Sequence, residues 1–412
     1  MLDSQIVTGY CDLCSRVIKV KEESRELEVS GKVFTFCCKS CESSFLSKDL
    51  SQGLSSPFLT HQLGEANPLF SWLKEAAVQE ASDLFISVGE APTLKIFGVF
   101  KKLSSQILDH QTVEEFIRSI LPQNKFVEFN EGKDIDSGLE IKNVSRFRIN
   151  IFRHHKGLSL AVRPLPKTIR SFTDLKLPEI FHQLACLKHG LILITGPAGS
   201  GKTTTLASLI DAINRKEERH IITIEDPIEY LIENKCSLIH QREVGWHTAS
   251  FSDGLRSALR ENPDIIVVGE LRDLESISLA LRAAETGHLV LGTLHSGTAI
   301  QALTRIIDIF DSVRQSQVMV QLAQSLQCVC SQNLMKRADM PGMILATEVL
   351  VGTLAVSNLI RQNRVHEIRG YMETGQAENM HTFKQSIERL SQSGMIEKED
   401  VPEFNEIFST KI

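Results

Sequence analysis

The feature that most constrains this chain is one short run, Gly196-Pro197-Ala198-Gly199-Ser200-Gly201-Lys202-Thr203. It fits G-x-x-x-x-G-K-[ST] at every fixed position. It also has the surroundings that pattern needs, with the apolar stretch Leu191–Thr195 before it and a helical pattern over Thr205–Ile213 after it. Gly199 and Gly201 let the backbone turn its N–H groups inward and approach phosphate oxygens closely. The helix N-terminus behind them adds a favourable dipole. In this reading Lys202 binds the β- and γ-phosphates and Thr203 ligates Mg²⁺, with Thr204 beside it in the binding set. The run therefore predicts a strand–loop–helix unit that holds a nucleotide. It does not say what work hydrolysis drives.

Four short apolar runs, Leu191–Thr195, Ile221–Ile224, Ile265–Val268 and Leu289–Leu294, alternate with helical patterns. Continuous apolar strands separated by helices predict a parallel sheet covered on both faces, hence an α/β domain over residues 171–400 with a helical C-terminal part. Upstream, residues 66–166 read as α+β. A helix carries Trp72, Ala76, Ala77 and Val78, strands run over Leu84–Val88, Thr93–Phe97, Arg146–Phe152 and Leu158–Val162, and a helix over Gln111–Leu121 lies between them. Arg163-Pro164-Leu165-Pro166 marks a stiff, extended boundary. Residues 51–65 read as a linker and residues 1–50 as a separate cysteine module. The 412 residues allow two to three such domains at roughly 150 residues each.

Composition narrows the partners. Apolar residues make up 42% and the net charge is −6, which excludes a disordered or collagen-like chain. No domain-wide positive field is offered to nucleic acid, so nucleic acid is not an expected partner. No apolar run reaches about 18 residues, so no transmembrane helix is expected. The opening Met1-Leu2-Asp3-Ser4 has no signal-peptide pattern, which leads to the expectation of a cytoplasmic protein.

Hydrolysis needs a group to position water and something to hold the metal. Ile224-Glu225-Asp226-Pro227-Ile228-Glu229 follows the second apolar run. Glu229 is the favoured water-activating base, and Glu225 and Asp226 orient the metal or a neighbouring subunit. The third run ends in Gly269-Glu270, where Glu270 is the acid expected to reach Mg²⁺ through water or to polarise the nucleophile. His288 and His295 bracket the fourth run. His295 lies at its C-terminal end, on the edge where open α/β sheets bind ligands. It is placed to sense the γ-phosphate, and His288 to couple the sheet to a subunit interface.

At this point the segments GPAGSGKTTTLASLIDAIN, ITIEDPIEY, HQREVG, FSDGLRSALRENPDIIVVGELRDLESISLALRAAETGHLVLGTLHS and RIIDIF closely resemble the secretion ATPases of type II secretion and type IV pili, and most of all their pilus-retraction (twitching motility) branch. Ala81–Ser87 and Val144–Asn150 are similar to that family's PAS-like N-terminal domain, and Ala355–Arg361 to the retraction branch's C-terminal helix motif. The resemblance implies a RecA-like core and an ATP hydrolase with Glu229 as its catalytic glutamate. It implies a cytoplasmic homohexamer docked peripherally on an inner-membrane platform protein, whose hydrolysis drives pilin removal and pilus retraction. Arg146, Arg148 and Arg163 look like the arginines with which the N-terminal domain completes the charge cage around the nucleotide. Val356, Ser357 and Gln362 replace the branch's usual Ile, Arg and Glu. An assembly or secretion ATPase, or an accessory retraction paralogue, therefore stays open beside retraction.

Nine cysteines, an odd number, argue against a disulfide framework. Cys186, Cys236, Cys328 and Cys330 sit in apolar surroundings and read as buried small hydrophobes. Cys11-x2-Cys14 and Cys37-x3-Cys41 form two pairs at metal-ligand spacing, with Cys38 an alternative to Cys37. Glu28–Phe36 reads as a hairpin turning at Ser30-Gly31 that delivers the second pair. Phe36-Cys37-x3-Cys41-x3-Phe45 resembles the small TRASH-type metal-binding domain. Structural Zn²⁺ is the expected metal, since so short a segment buries little core.

Overall fold

The computed structural model describes residues 67–397, apart from 97, 122, 142, 143 and 167, together with the strand backbones at Gly9–Tyr10, Val17–Ile18, Arg25–Val29, Lys32–Phe36 and Phe58–Thr60. The expected N-terminal hairpin is among these. Arg25–Val29 pairs antiparallel with Lys32–Phe36 and closes at the Val29–Lys32 pair. Cys11, Cys14, Cys37 and Cys41 lie outside the described residues. Within 51–65, read as a linker, Phe58–Thr60 is a strand paired in parallel with Gly138–Glu140.

The described residues fall into two compact units. Residues 85–92 and 104–162 belong to the first, and residues 72–84, 93–103 and 163–397 to the second. Strands β1 (Phe58–Thr60), β2 (Asp83–Ser87), β5 (Ile135–Ile141), β6 (Ser145–His154) and β7 (Gly157–Leu165) hydrogen-bond in the order β1-β5-β6-β7-β2. Alternation sets which side chains are buried on β6. Phe147, Ile149 and Ile151 are buried, and Arg148 between them is exposed. Strands β3 (Thr93–Ile96) and β4 (Val99–Lys102) form an antiparallel pair. Helix α1 (Pro68–Val78) buries Leu69, Leu73 and Ala76, an i, i+4, i+7 stripe, whereas Val78, one of the four residues read as its apolar set, is 71% exposed. Helix α2 (His110–Ile120) starts on an Asp109 cap, whose carboxylate accepts from the Thr112 N–H at 2.8 Å.

The second unit contains the predicted parallel sheet. Strands β8 (Gly190–Thr195), β9 (His220–Glu225), β10 (Leu238–Glu243), β11 (Ile265–Val268), β12 (Leu289–Leu294), β13 (Leu326–Lys336) and β14 (Met343–Val351) lie in the order β10-β9-β11-β12-β8-β13-β14. All pairings are parallel except β13–β14. The four predicted runs are the four central strands. Every residue of β8, β11 and β12 is buried, as a sheet covered on both faces requires. On one face Leu191, Leu193, Ile222 and Val268 pack under α4 (Phe251–Ala258), α5 (Leu274–Glu285), α6 (Ala299–Asp308), α7 (Ser312–Ser325) and α8 (Leu354–Arg361). On the other, Ile192, Ile194, Ile221 and Val267 pack under α3 (Lys202–Asn214) and the short helices at Phe172–Leu175 and Ile180–Leu184. Each fully buried Leu or Ile here contributes about 1.5–3 kcal/mol.

The reading of four buried cysteines needs correction. Cys328 and Cys330 on β13 are buried, and burial pushes the Cys328 thiol up to about 12. Cys186 and Cys236 are exposed instead. Both sit in connections rather than on strands, and their thiols meet the backbone oxygens of His182 at 3.4 Å and Arg215 at 3.3 Å.

Candidate functional site

The phosphate cradle is shaped by backbone geometry. Gly196 has φ +144°, and a Cβ there would lie 2.3 Å from the Gln332 backbone oxygen and 2.6 Å from the Ser200 hydroxyl. Gly199 and Gly201 also have positive φ, at +76° and +86°, but a Cβ on either would meet open space. Gly201 is the N-cap of α3, and no side chain caps that end, so its first N–H groups face the loop. Open space above two glycines, uncapped N–H groups and the hydroxyl of Thr203 form the donor set that a magnesium-bound triphosphate takes. The residues fit that ligand. Lys202 is buried and donates to the Gly196 oxygen at 2.8 Å and the Pro197 oxygen at 2.9 Å. Burial lowers its pKa, while the nearby negative charges of Glu270 and Glu229 act the other way.

Glu270, past the end of β11, is drawn into the same corner. Its carboxylate lies 3.4 Å from His295 Nε2 and 2.8 Å from the Arg272 guanidinium. His295 Nδ1 in turn stands 3.5 Å from Lys202 Nζ. Burial pushes the Glu270 carboxyl up, but the Arg272 hydrogen bond and the His295 contact outweigh it and hold the carboxyl below its ordinary range. Space is tight at Gly269, the residue before Glu270. A Cβ would come within 3.1 Å of the Ile224 oxygen and 3.3 Å of Glu225 Cα. The turn is tied to both neighbouring strands, with Gly269 N–H donating to the Ile224 oxygen at 2.8 Å and the Thr293 hydroxyl to the Gly269 oxygen.

The acidic loop leaves β9 at the same edge, through a cis Asp226–Pro227 peptide. Glu225 accepts from the Thr223 hydroxyl at 2.6 Å and from the Gln241 amide at 3.0 Å. Burial, with the charges of Glu229 and Glu243 adding to it, pushes its carboxyl up to about 7 against those hydrogen bonds. Asp226 is exposed, and its charge is felt by Arg272. Glu229 acts electrostatically on Lys202, Glu225 and Tyr230. Tyr230 is buried, and its hydroxyl donates to Thr204 Oγ1 at 3.1 Å, which ties this loop to α3.

The remaining expected residues are placed differently. His288 precedes β12 and His295 follows it. Seven residue-to-residue steps along this six-residue strand, at about 3.3 Å each, separate them by about 23 Å, so they cannot share one phosphate. His288 Nδ1 lies 3.1 Å from the Ala283 oxygen and 3.3 Å from the Thr286 hydroxyl, at the C-terminal end of α5. Arg146 and Arg148 lie on β6 in the first unit. Arg163, on β7, forks onto Asp83 at 3.0 and 3.1 Å.

Sequence reasoning missed four residues that shape this corner: Gln241, Glu243, Arg272 and Gln332. Gln241 and Glu243 alternate along β10, an edge strand too polar to be read as a strand. Their only sequence signal was the segment HQREVG. Gln332 on β13 is buried, crowds Gly196 with its backbone oxygen and donates to Thr205 Oγ1 at 2.8 Å.

Known proteins agree with this geometry. A family model described as type II/IV secretion system protein matches residues 67–398. A "Twitching motility protein" of Neisseria gonorrhoeae is 40% identical over 334 residues, covering 81% of this chain and 89% of the relative. The "Type IV pilus retractation ATPase PilT" of Pseudomonas aeruginosa is 41% identical over 328 residues, covering 80% of this chain and 95% of the relative. A crystal structure of the pilus retraction motor PilT with bound ADP superposes with a TM-score of 0.74 at 42% identity, covering 80% of this chain and 95% of that one. With its nucleotide cradle, paired acids and buried parallel sheet, the chain is a P-loop ATPase that belongs to the type II/IV secretion system protein family.

Proposed function

We propose that this ATPase drives retraction of a type IV pilus. The observation that carries the chemistry is the Lys202–His295–Glu270 corner, where one ring nitrogen of His295 stands 3.5 Å from the cradle lysine and the other 3.4 Å from the Glu270 carboxylate, while the charge of Glu229 reaches the same lysine. When bound, Mg²⁺ neutralises phosphate charge, with Thr203 as its protein ligand. Lys202 and the first N–H groups of α3 hold the triphosphate, and Glu229 takes the proton of the attacking water. Glu270, kept ionised by Arg272 and His295, orients that water, and His295 registers the γ-phosphate. His288, from the opposite sheet edge, couples the sheet to the neighbouring subunit.

The relatives' printed names favour retraction at about 40% identity over four-fifths of this chain. We further propose a cytoplasmic homohexamer that docks peripherally on an inner-membrane platform protein. In it Arg146, Arg148 and Arg163 of residues 66–166 complete the charge cage of the 171–400 domain. A Zn²⁺ held by Cys11, Cys14, Cys37 and Cys41 stabilises residues 1–50, and 51–65 links that module to the rest. Replacing Glu229 or Glu270 by Gln should lower phosphate release by about 10²–10⁴-fold with nucleotide still bound; unchanged turnover would overturn the site. A deletion strain decides the direction of work, because surplus pili support retraction and bald cells support an assembly ATPase. The departures Val356 and Ser357 are both buried, and the Ser357 hydroxyl donates to the Ala323 oxygen at 2.7 Å, tying α8 to α7.

A further inference from the structure

We propose that Gln241 is a positioning residue for hydrolysis, whose side-chain amide fixes the loop carrying Glu229 in register with the phosphate cradle. The proposal rests on the reading of Glu229 as the catalytic glutamate.

Gln241 lies on β10, the edge strand beside β9. One amide group makes three hydrogen bonds to the neighbouring segment. Nε2 donates to Glu225 Oε1 at 3.0 Å and to the Tyr230 backbone oxygen at 2.8 Å, and Oε1 accepts from the Ile232 N–H at 2.8 Å. The three partners bracket Glu229 on both sides along the chain. Two residues further on, and so on the same face of the strand, Glu243 accepts from the Ile228 N–H at 3.0 Å. The loop over residues 226–231 is thus gripped at its start, middle and end from one strand.

The grip reaches the cradle through Tyr230. Its backbone oxygen is held by Gln241, and its hydroxyl donates to Thr204 Oγ1, two residues past Lys202. Glu229 sits directly beside that strut. The chemistry selects an amide. Only Asn and Gln supply two N–H donors and a carbonyl acceptor in one planar group, and only Gln has this reach. An ionised carboxylate in its place keeps the acceptor for Ile232, loses both donations and faces the Glu225 carboxyl. A thioether of the same length loses all three bonds. Proton abstraction from water depends steeply on where the base stands, and a shift of about 1 Å costs on the order of 10²-fold. Phosphate binding depends on the Gly196–Thr203 backbone, which Gln241 does not touch.

The test measures ATP turnover and fluorescent-ADP affinity for the full chain and for Gln241→Met, Gln241→Glu and Glu229→Gln. Both Gln241 variants should lose about 10–100-fold in kcat while KM and ADP affinity stay within about threefold of the parent. A kcat within about twofold of the parent in either soluble variant overturns the proposal. A parallel loss of affinity also overturns it, because it would show general collapse of the site. If neither variant folds, Gln241 is a scaffold residue and the proposal falls. Glu229→Gln separates the two readings. Parent-like turnover in that variant removes the glutamate assignment itself, whereas an inactive Glu229→Gln beside fully active Gln241 variants removes only the positioning role.

Discussion

The loops over residues 196–203 and 226–232 leave the same edge of one sheet, yet they are held in different ways. The first takes its shape from its own backbone, from three glycines at positive φ and from a lysine folded onto the oxygens of Gly196 and Pro197. The second takes its shape from side chains on another strand, with Gln241 and Glu243 holding its amides and Tyr230 bridging to Thr204. In the first loop a single added atom at Gly196 already collides with the Gln332 backbone oxygen. A loop held by several distributed bonds loses accuracy in steps.

The difference can be broken or sharpened by substitution. Gly196→Ala forces a Cβ to within 2.3 Å of the Gln332 oxygen, so nucleotide binding by calorimetry should be lost and the melting midpoint should fall sharply. Retained binding would mean that the backbone of this loop yields. Next in size, His295→Ala should lower phosphate release by at least about tenfold more than His288→Ala, because only His295 lies against Lys202 and Glu270. Equal losses would show that the far edge of the sheet matters as much.

Glu225 gives a pH signature for the side-chain-held loop. Its carboxyl is pushed up to about 7 by burial, above its usual value of 4.5. The protonated form is therefore favoured in the folded chain. Its contribution to stability is fully present below about pH 4.5 and is lost as pH rises through about 7. Glu225→Gln should flatten that fall in denaturant titrations, by at most about 3 kcal/mol between the two limits; an unchanged pH slope would refute the assignment. The smallest effect is expected from Tyr230→Phe. It removes one hydrogen bond worth about 1 kcal/mol and should slow turnover by no more than about tenfold, because Gln241 still holds the loop.

The same contrast explains what the sequence disclosed. The cradle is local: its glycines, lysine and helix are consecutive, so residues 196–204 were legible from spacing alone. The four central strands were equally plain, since a strand buried on both faces is apolar throughout, as at Ile265–Val268. The acids at 225, 229 and 270 were found because they follow such strands. Their partners were not. Gln241 and Glu243 act from an edge strand with a mixed burial pattern, and Arg272 reaches Glu270 across a turn. The contacts of Gln241 and Glu243 are long-range and leave no period in a sequence, and a single arginine two residues from an acid reads as an ordinary surface charge. Cys186 and Cys236 were misjudged for a related reason, since apolar neighbours in the chain do not show whether a connection faces water.

The narrow space at Gly269 also governs what evolution or design can do with the acid beside it. A carboxylate moved one step back along the chain would bring a Cβ to within 3.1 Å of the Ile224 oxygen and 3.3 Å of Glu225 Cα, so the adjoining strand would have to give by a few tenths of an ångström to admit it. At this edge the smallest amino acid spares the adjoining strand that shift and leaves the negative charge to the residue after it.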